Sequence, residues 1–212
     1  MNNLVAICLG ASLSFATFST QAQAQEPDAL IRDTVKEVLE VVKQDKDIKA
    51  GNQKKVLELV EAKVLPHFDF ERMTRLAVGK GWRSATAGQR ATLVSEFRTL
   101  LVRTYANAFT GYRDQTVEVK PFKMPTAADE VTIKTVISKP GGRPIAVDYE
   151  MAKTPSGWKA FDLVVEGASL VTTYRSTFGD LVQQSGVDGL IKSLQDKNQT
   201  LANTPLRKAD SK

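Results

Sequence analysis

Reactive and metal-binding side chains are scarce in this sequence of 212 residues. It contains one cysteine, Cys8, and one histidine, His67. Because Cys8 lies in an N-terminal segment that we predict to be removed, the mature chain has no thiol for a disulfide, for thiol catalysis or for a cysteine-bound metal. One histidine cannot form a cluster of histidine ligands. Only a carboxylate-only metal site remains open, and we predict no metal-binding residue.

Charged residues are absent from residues 1–24. An apolar stretch at 4–18 precedes polar residues and the small-residue pattern Ala22-Gln23-Ala24, which signal peptidase requires at its cleavage site. We therefore predict that 1–24 is a cleaved secretory signal peptide. A transmembrane anchor is the competing interpretation, but the apolar stretch is shorter than the ~20 residues that a membrane-spanning helix needs.

The net charge is +5, and all charged residues follow residue 24. Part of this charge lies at 201–212, which contains Arg207, Lys208 and Lys212 and which we predict to be a flexible basic tail. The remaining chain, 25–200, is predicted to form one mildly basic domain. For an exported protein this charge does not favour a nucleic acid partner, whereas it is compatible with an anionic membrane surface.

Catalytic motifs are also missing. A Ser-His-Asp triad would have to use His67 beside Asp69, and no G-x-S-x-G nucleophile motif accompanies them. Gly79-Lys80-Gly81 and Gly141-Gly142 lack the spacing of a phosphate-binding or dinucleotide-binding loop. We predict no catalytic residue and no enzymatic activity, which leaves binding as the expected role.

Helical periodicity marks both ends of the predicted domain. Asp28 is a candidate N-cap for the first helix, and Thr86 and Gln89 have the spacing of a capping box. Gly79 is predicted to close a short helix in the left-handed conformation, and Gly111 to end the long helix. The predicted helices cover residues 28–42, 52–64, 70–78, 86–111 and 170–182, with a shorter one from residue 188.

Between these helices the apolar period changes to two, which is typical of strands. The segments 131–138 and 145–152 flank Pro140-Gly141-Gly142 and are predicted to form a hairpin, with further strands at 117–122 and 158–165. We therefore predict an α+β domain with a four-stranded antiparallel sheet, and with helices before and after it.

One acidic residue, Asp162, interrupts the apolar run of the last predicted strand. It either orients a ligand or partner, or is a buried carboxylate paired with backbone donors or with Arg175. The second interpretation is favoured because buried charges are usually paired.

The order and spacing of many residues resemble the MlaC family of periplasmic phospholipid-binding proteins, also called the toluene-tolerance auxiliary component. The resemblance extends over about 28–194. It is carried by Leu65-Pro66-His67-Phe68-Asp69-Phe70, Gly79-Lys80-Gly81-Trp82-Arg83, Gln89-Arg90, Phe97, Leu100-Leu101, Arg103, Tyr105, Val147, Tyr149, Gly157-Trp158-Lys159, Asp162, Glu166-Gly167-Ala168-Ser169-Leu170, Tyr174-Arg175 and Phe178.

The resemblance implies a curved four-stranded sheet packed by N- and C-terminal helices around an apolar lipid cavity. It further implies a periplasmic carrier that shuttles phospholipid between the outer and inner membranes and maintains outer-membrane lipid asymmetry. The implied partners are an inner-membrane ABC transporter complex and an outer-membrane lipoprotein-porin complex. The implied ligand is a phospholipid, with no other cofactor and no enzymatic activity.

Within this family we expect the acyl chains to contact the apolar sheet face and the long helix, and the head group to meet basic residues. Core packing explains each apolar residue equally well, and solvated surface charge explains each basic one. The alternative function is an exported interaction module or chaperone with a closed core, and a cystatin-like or NTF-like enzyme would need acid-base residues that are missing. The expected lipid contacts are Phe97, Leu101, Tyr105, Ile133, Ile137, Val147, Tyr149 and Met151, and the expected head-group or surface contacts are Lys80, Arg143 and Arg175.

Overall fold

A computed structural model of the chain describes residues 25–110 and 115–204. The predicted signal peptide, the predicted helix end at Gly111 and residues 205–212 of the predicted tail lie outside these ranges. The described helices are α1 (Pro27–Gln44), α2 (Lys46–Lys49), α3 (Gln53–Lys63), α4 (Phe70–Val78), α5 (Lys80–Ser84), α6 (Ala87–Thr110) and α7 (Leu170–Ala202). The strands are β1 (Thr116–Val119), β2 (Glu130–Ser138), β3 (Ile145–Thr154), β4 (Gly157–Val165) and β5 (Ala168–Ser169).

Helices α1 to α3 form a helical unit with its own apolar core. The predicted N-cap at Asp28 is wrong: the cap position is Glu26, and Pro27 occupies the first turn, where its missing N–H costs nothing. Asp28 instead pairs with Arg32 one turn later, at 3.1 Å. The core of this unit consists of Val38, Val42, Ile48, Val56 and Leu59.

The start and end signals of α4 and the start signal of α6 are confirmed. Asp69 caps α4 by accepting the Arg72 backbone N–H at 2.9 Å, and Gly79 closes the helix with a positive φ of 62°. In the capping box, Thr86 Oγ1 accepts the Gln89 N–H at 3.2 Å while Gln89 Oε1 accepts the Thr86 N–H at 2.9 Å. These pairs fix where each helix begins.

The sheet is open and antiparallel, with the strand order β1-β2-β3-β4-β5. The predicted hairpin is confirmed, and its register pairs Val131 with Met151 and Ile133 with Tyr149. The predicted strand number is wrong, since the sheet has five strands rather than four. The additional strand, β5, is two residues long and pairs with the end of β4, so it is too short to show an alternating pattern.

A β-bulge lies in β4. Glu150 pairs with Asp162 and Met151 with Ala160, so Phe161 is the extra residue. The bulge shifts the alternation by one residue, and both halves of β4 therefore present apolar side chains to the same face of the sheet. Phe161 itself packs against the helical core, and the Arg72 guanidinium lies 3.6 Å from its ring centre.

Helix α7 follows β5 and packs along α6 and α4. The helix breaks at Gly186, where φ is 69°, and a second segment follows, as predicted for residue 188 onward. Asp162 fixes its start: its carboxylate accepts the Val171 N–H at 3.0 Å, the Leu163 N–H at 2.8 Å and the Ser169 hydroxyl. Asp162 therefore has a structural role, with backbone donors as its partners.

Candidate functional site

Residues 25–110 and 115–204 form three hydrophobic clusters, and the space between them is incompletely filled. One cluster belongs to α1, α2 and α3, one lies between α1 and the sheet, and one lies between α4, α5, α6 and α7. Two adjacent apolar chambers occupy the boundary where these clusters meet. Each chamber thus has walls that belong to different packing units.

The chamber beside α1, called the α1 chamber here, has a volume of about 140 Å³. Its helical wall is one face of α1, and Val117 of the edge strand lies opposite. His67 contributes the imidazole that borders this chamber. The α1 residues of the wall are Ile31, Thr34, Val35, Val38 and Leu39.

The second chamber, called the α6 chamber here, has a volume of about 210 Å³. The last described turns of α6 form one wall through Leu101, Val102 and Tyr105. Val147 and Val165, which are direct cross-strand partners, form part of the sheet wall. Phe70 and Met73 of α4, together with Val60 and Leu65, close the remaining side.

Phe68 lies in the wall that the two chambers share. Its N–H donates to Leu65 O at 3.1 Å, it forms a parallel bridge with Ala160, and the next N–H, of Asp69, donates to Ala160 O at 2.8 Å. Its ring stacks on that of Phe70 with a centroid distance of 5.8 Å. These backbone contacts thus fix the position of Phe68, whose side chain borders both chambers. The complete shared wall is Val64, Phe68, Ile137, Tyr149 and Leu163.

The structure brings together five of the eight expected lipid contacts and separates three. Phe97, Ile133 and Met151 are fully buried in closed clusters and do not line either chamber. Phe97 packs edge-on against Tyr174 and Phe178, with centroid distances of 5.0 and 5.1 Å, which leaves no space beside its ring. The five that line a chamber are Leu101, Tyr105, Ile137, Val147 and Tyr149.

Several lining residues were missed in the sequence, among them Phe68, Leu163 and Val165. A strictly alternating strand would place Leu163 and Val165 on the face opposite Trp158 and Ala160. The bulge at Phe161 brings both pairs to the same face. The signal available in the sequence was the loss of alternation around Asp162.

The three expected head-group cations occupy two different places. Arg143 forms an ion pair with Glu166, the residue after the chamber residue Val165. Lys80 and Arg175 are exposed at the far end of α4, where the Arg175 Nε would lie 3.6 Å from a Cβ added at Gly79. None of the three lines a chamber, and of the three Arg143 is the one whose ion-pair partner directly follows a chamber residue.

His67 is a wall residue of the α1 chamber. Burial lowers its pKa below the ordinary value, the nearby Glu37 carboxylate opposes this shift, and Lys159 adds to it. The neighbouring Asp69 binds the Arg72 N–H as the α4 cap. The two residues that a catalytic triad would use thus have separate structural roles: His67 lines the α1 chamber and Asp69 caps α4.

Tyr105 lines the α6 chamber, is 40% exposed and lies near Tyr174. Burial, followed by the influence of Tyr105, raises the pKa of Tyr174 to about 12. Tyr174 is therefore neutral at all physiological pH values. This small polar group adjoins an otherwise apolar wall.

Within 25–110 and 115–204, no three histidine, cysteine, aspartate or glutamate side chains are placed to hold a metal ion. None of the helices described above is both long enough and apolar enough to cross a membrane.

Known proteins are similar to this chain in sequence and in structure. The MlaC protein of the Haemophilus influenzae intermembrane phospholipid transport system, a binding protein, is 28% identical over 159 residues, which are 70% of this chain and 74% of that protein. The toluene tolerance protein ttg2D of Pseudomonas putida is 23% identical over 192 residues, covering 86% of this chain and 87% of that protein.

A solved structure of the phospholipid-binding protein from Ralstonia solanacearum, in complex with a phospholipid, shares the fold. It has a TM-score of 0.79 and 37% sequence identity, and the match covers 84% of this chain and 100% of that chain. The model of the MlaC protein family matches residues 32–196. This match includes both chambers, the sheet and most of α7, and the chain accordingly belongs to the MlaC family.

Proposed function

We propose that this protein is a periplasmic phospholipid carrier that shuttles phospholipids between the outer and inner membranes and thereby maintains outer-membrane lipid asymmetry. The observation that carries the proposal is the pair of apolar chambers between the three hydrophobic clusters. The phospholipid complex of the similar Ralstonia solanacearum protein supports phospholipid as the ligand. A carrier rather than an enzyme also fits the wall residues, which are almost all aliphatic or aromatic.

Burial of acyl chains supplies the affinity in this proposal. Each methylene removed from water contributes about 0.8 kcal/mol, so two chains give a large gross stabilisation without recognition of the head group. A bilayer offers the same chains a similar environment. The net free energy of transfer between carrier and membrane is therefore small, which allows release as well as uptake.

The direction of transport must come from partners, because tail burial is the same in both directions. We propose an inner-membrane ABC transporter complex and an outer-membrane lipoprotein-porin complex as these partners. The transport system named for the Haemophilus influenzae relative supports this assignment. Export by the signal peptide predicted at 1–24 would place the carrier between the two membranes.

Loading requires the chambers to widen. Their volumes of about 140 and 210 Å³ are each below the ~300 Å³ at which pockets for drug-sized ligands begin. The helical unit of α1 to α3 has its own core, and an ion pair between Glu61 and Arg98 links it to α6. We infer that loading shifts this unit relative to the sheet, which enlarges the chambers and separates part of the cluster that Ile31 forms with Val131 and Ile133.

Native mass spectrometry of the purified protein tests the proposal. We expect phospholipid to copurify in near-stoichiometric amount, and delipidated protein to take up lipid from vesicles of phosphatidylethanolamine and phosphatidylglycerol. If the purified protein contains no lipid and also takes up none from vesicles, the carrier function is contradicted and a closed-core interaction module is favoured.

A matched pair of variants locates the ligand. Val147→Glu places a charge in the α6 chamber and is expected to abolish loading, because an unpaired carboxylate in an apolar site is strongly unfavourable. Val136→Glu makes the same change on the opposite face of the sheet, since Val136 follows the inward Thr135. If folded Val147→Glu loads as much lipid as Val136→Glu, the α6 chamber is not part of the lipid site.

A further inference from the structure

Two large hydrophobic side chains are exposed in the part of the chain that the structure describes, and both are close in sequence or space to the α6 chamber. Tyr105 of α6 is 40% exposed, and Ile145 of β3 is 42% exposed. Tyr105 lines the chamber, and Ile145 comes two positions before the chamber residue Val147. Their shared association with one apolar chamber distinguishes them from hydrophobic residues scattered singly over a surface.

Ile145 continues the sheet wall of the α6 chamber outward. Alternate residues of a strand share a face, and so do direct cross-strand partners, which places Ile145 on the face of Val147 and Ile137. Both of these residues line the chamber. Along β3 the exposed fraction rises from 8% at Val147 to 42% at Ile145. The sheet wall therefore extends from the buried chamber to solvent on one face.

Helix α6 shows the same change in another wall of the chamber. Leu101 and Tyr105 are about one turn apart on one face of the helix, and both line the chamber. The exposed fraction rises from 7% at Leu101 to 40% at Tyr105. Each of the two walls thus ends in one large, solvent-exposed side chain.

The turn beside Ile145 is positively charged. This turn, between β2 and β3, contains Lys139 and Arg143, and both are exposed. Glu166 pairs with Arg143, so the positive charge of Lys139 remains in excess. Tyrosine, which has an apolar ring and a polar hydroxyl, suits the boundary between the apolar and polar parts of a bilayer, and cations are attracted to anionic lipids.

We propose that Tyr105 and Ile145, called the mouth residues here, border the opening of the α6 chamber and contact a phospholipid bilayer surface while an acyl chain enters or leaves. The inference rests on the proposed carrier function and identifies the side of the carrier that meets the membrane. Two side chains are far fewer than the ~20–30 residues that each partner contributes to a stable protein interface, whereas a brief contact with lipid needs no such area.

The mouth residues should act on the rate of transfer and not on the final occupancy. Each methylene exposed to water during transfer slows it about fourfold, so apolar side chains that cover part of the acyl chain accelerate its passage. The same side chains cover the acyl chain in either direction. Uptake and release should therefore change together, and equilibrium loading should not change.

Time-resolved native mass spectrometry of the full-length mature protein tests this prediction. Delipidated protein takes up lipid from vesicles of phosphatidylethanolamine and phosphatidylglycerol, and loaded protein releases lipid to an excess of the same vesicles. Ile145→Thr keeps a β-branched residue in the strand, and Tyr105→Gln keeps a good helix former in α6, so both proteins should fold. We expect each variant to slow uptake and release about four- to tenfold and to change equilibrium loading less than about twofold.

Val136→Thr is the matched control. Val136 lies in the same hairpin as Ile145 but on the face opposite the chamber, because it follows the inward Thr135. This variant should leave both rates unchanged, and melting temperatures check that all three proteins are folded. Equal slowing by Val136→Thr would assign the effect to the hairpin as a whole and overturn the proposal.

Other outcomes overturn the proposal in distinguishable ways. Unchanged rates in both Ile145→Thr and Tyr105→Gln would exclude bilayer contact and leave the mouth residues for a protein partner. A dimer of the unmodified protein that Ile145→Thr disrupts would assign them to a second copy of this chain. Faster release with lower equilibrium loading would place them inside the lipid site. If the unmodified protein takes up no lipid, the carrier function fails and this proposal fails with it.

Discussion

Phe97 and Leu101 lie one turn apart on the same face of α6, yet they belong to different kinds of interior. Phe97 is enclosed by the aromatic rings of α7, whereas Leu101 borders the α6 chamber. Both are nearly inaccessible to solvent, at 0% and 7% exposure. Burial alone therefore does not distinguish a closed core from a chamber wall in this protein. The distinction depends on whether a neighbouring element fills the space beside the side chain.

Truncation of these two residues should have unequal effects. Phe97→Ala is expected to reduce the free energy of unfolding by about 3–5 kcal/mol, because the surrounding rings cannot collapse into the vacated volume. Leu101→Ala is expected to cost ~2 kcal/mol, the lower end for a buried leucine, because its side chain already borders empty space. Urea unfolding of the delipidated proteins measures both, and equal losses would show that the chamber is closed in solution.

The same pair of residues shows what the sequence can and cannot predict. Apolar periodicity correctly identified the inward face of α6, and the capping box at Thr86 and Gln89 identified its start. Periodicity gives the direction of a side chain but not the distance to the opposite wall. The separation of Phe97 from Leu101 depends on Tyr174 and Phe178, which are more than 70 positions away in the chain.

The sheet teaches the same lesson. The alternation of β2 and β3 predicted the hairpin that they form, whereas the bulge at Phe161 shows in the sequence only as a loss of alternation around Asp162. The chamber residues Leu163 and Val165 were missed for that reason. Strand β5 was missed because two residues cannot display a period.

Filling the α6 chamber should separate lipid loading from stability. Val165→Phe is expected to lower loading about tenfold, equivalent to ~1.4 kcal/mol, because its ring occupies space needed by an acyl chain. Val164→Phe is the matched control, since Val164 points to the face of the sheet opposite Val165. Native mass spectrometry and melting temperature are compared for both. Reduced loading in both variants to the same extent would mean that strand β4 does not border the ligand.

Acid should destabilise the packing around the α1 chamber more than the packing around the α6 chamber, because His67 lines the α1 chamber. Burial lowers the His67 pKa below its unfolded value of about 6.5, so the folded protein binds fewer protons than the unfolded chain near that pH. This contribution to stability is present above pH ~6.5 and is lost as the pH falls through the lowered pKa. Melting temperature as a function of pH should therefore fall on acidification.

His67→Gln provides the comparison for this pH effect. It retains polarity and hydrogen-bonding capacity but cannot be protonated in this range, so its melting temperature should fall less between pH ~7.5 and ~5 than that of the unmodified protein. Glu37 and Lys159 face the imidazole and are unchanged in the variant. Parallel pH profiles for the two proteins would show that His67 protonation does not contribute.

The smallest expected effect concerns Arg143, the one expected head-group cation whose ion-pair partner, Glu166, directly follows a chamber residue. Glu166 pairs with Arg143 and also accepts the Ala146 N–H at 3.0 Å, so its carboxylate is held in place and competes with a lipid phosphate for the guanidinium. Glu166→Gln should raise loading of phosphatidylglycerol relative to phosphatidylethanolamine about two- to threefold, because exposed ion pairs contribute less than about 1 kcal/mol. Arg143→Gln should lower this ratio, and Lys80→Gln, which changes an exposed cation that lines neither chamber, should not affect it. The preference of Glu166→Gln for phosphatidylglycerol should decrease at higher salt concentration, because salt screens the exposed charge. If Lys80→Gln and Arg143→Gln change the loading ratio equally, the ratio responds to net charge and not to a contact of Arg143.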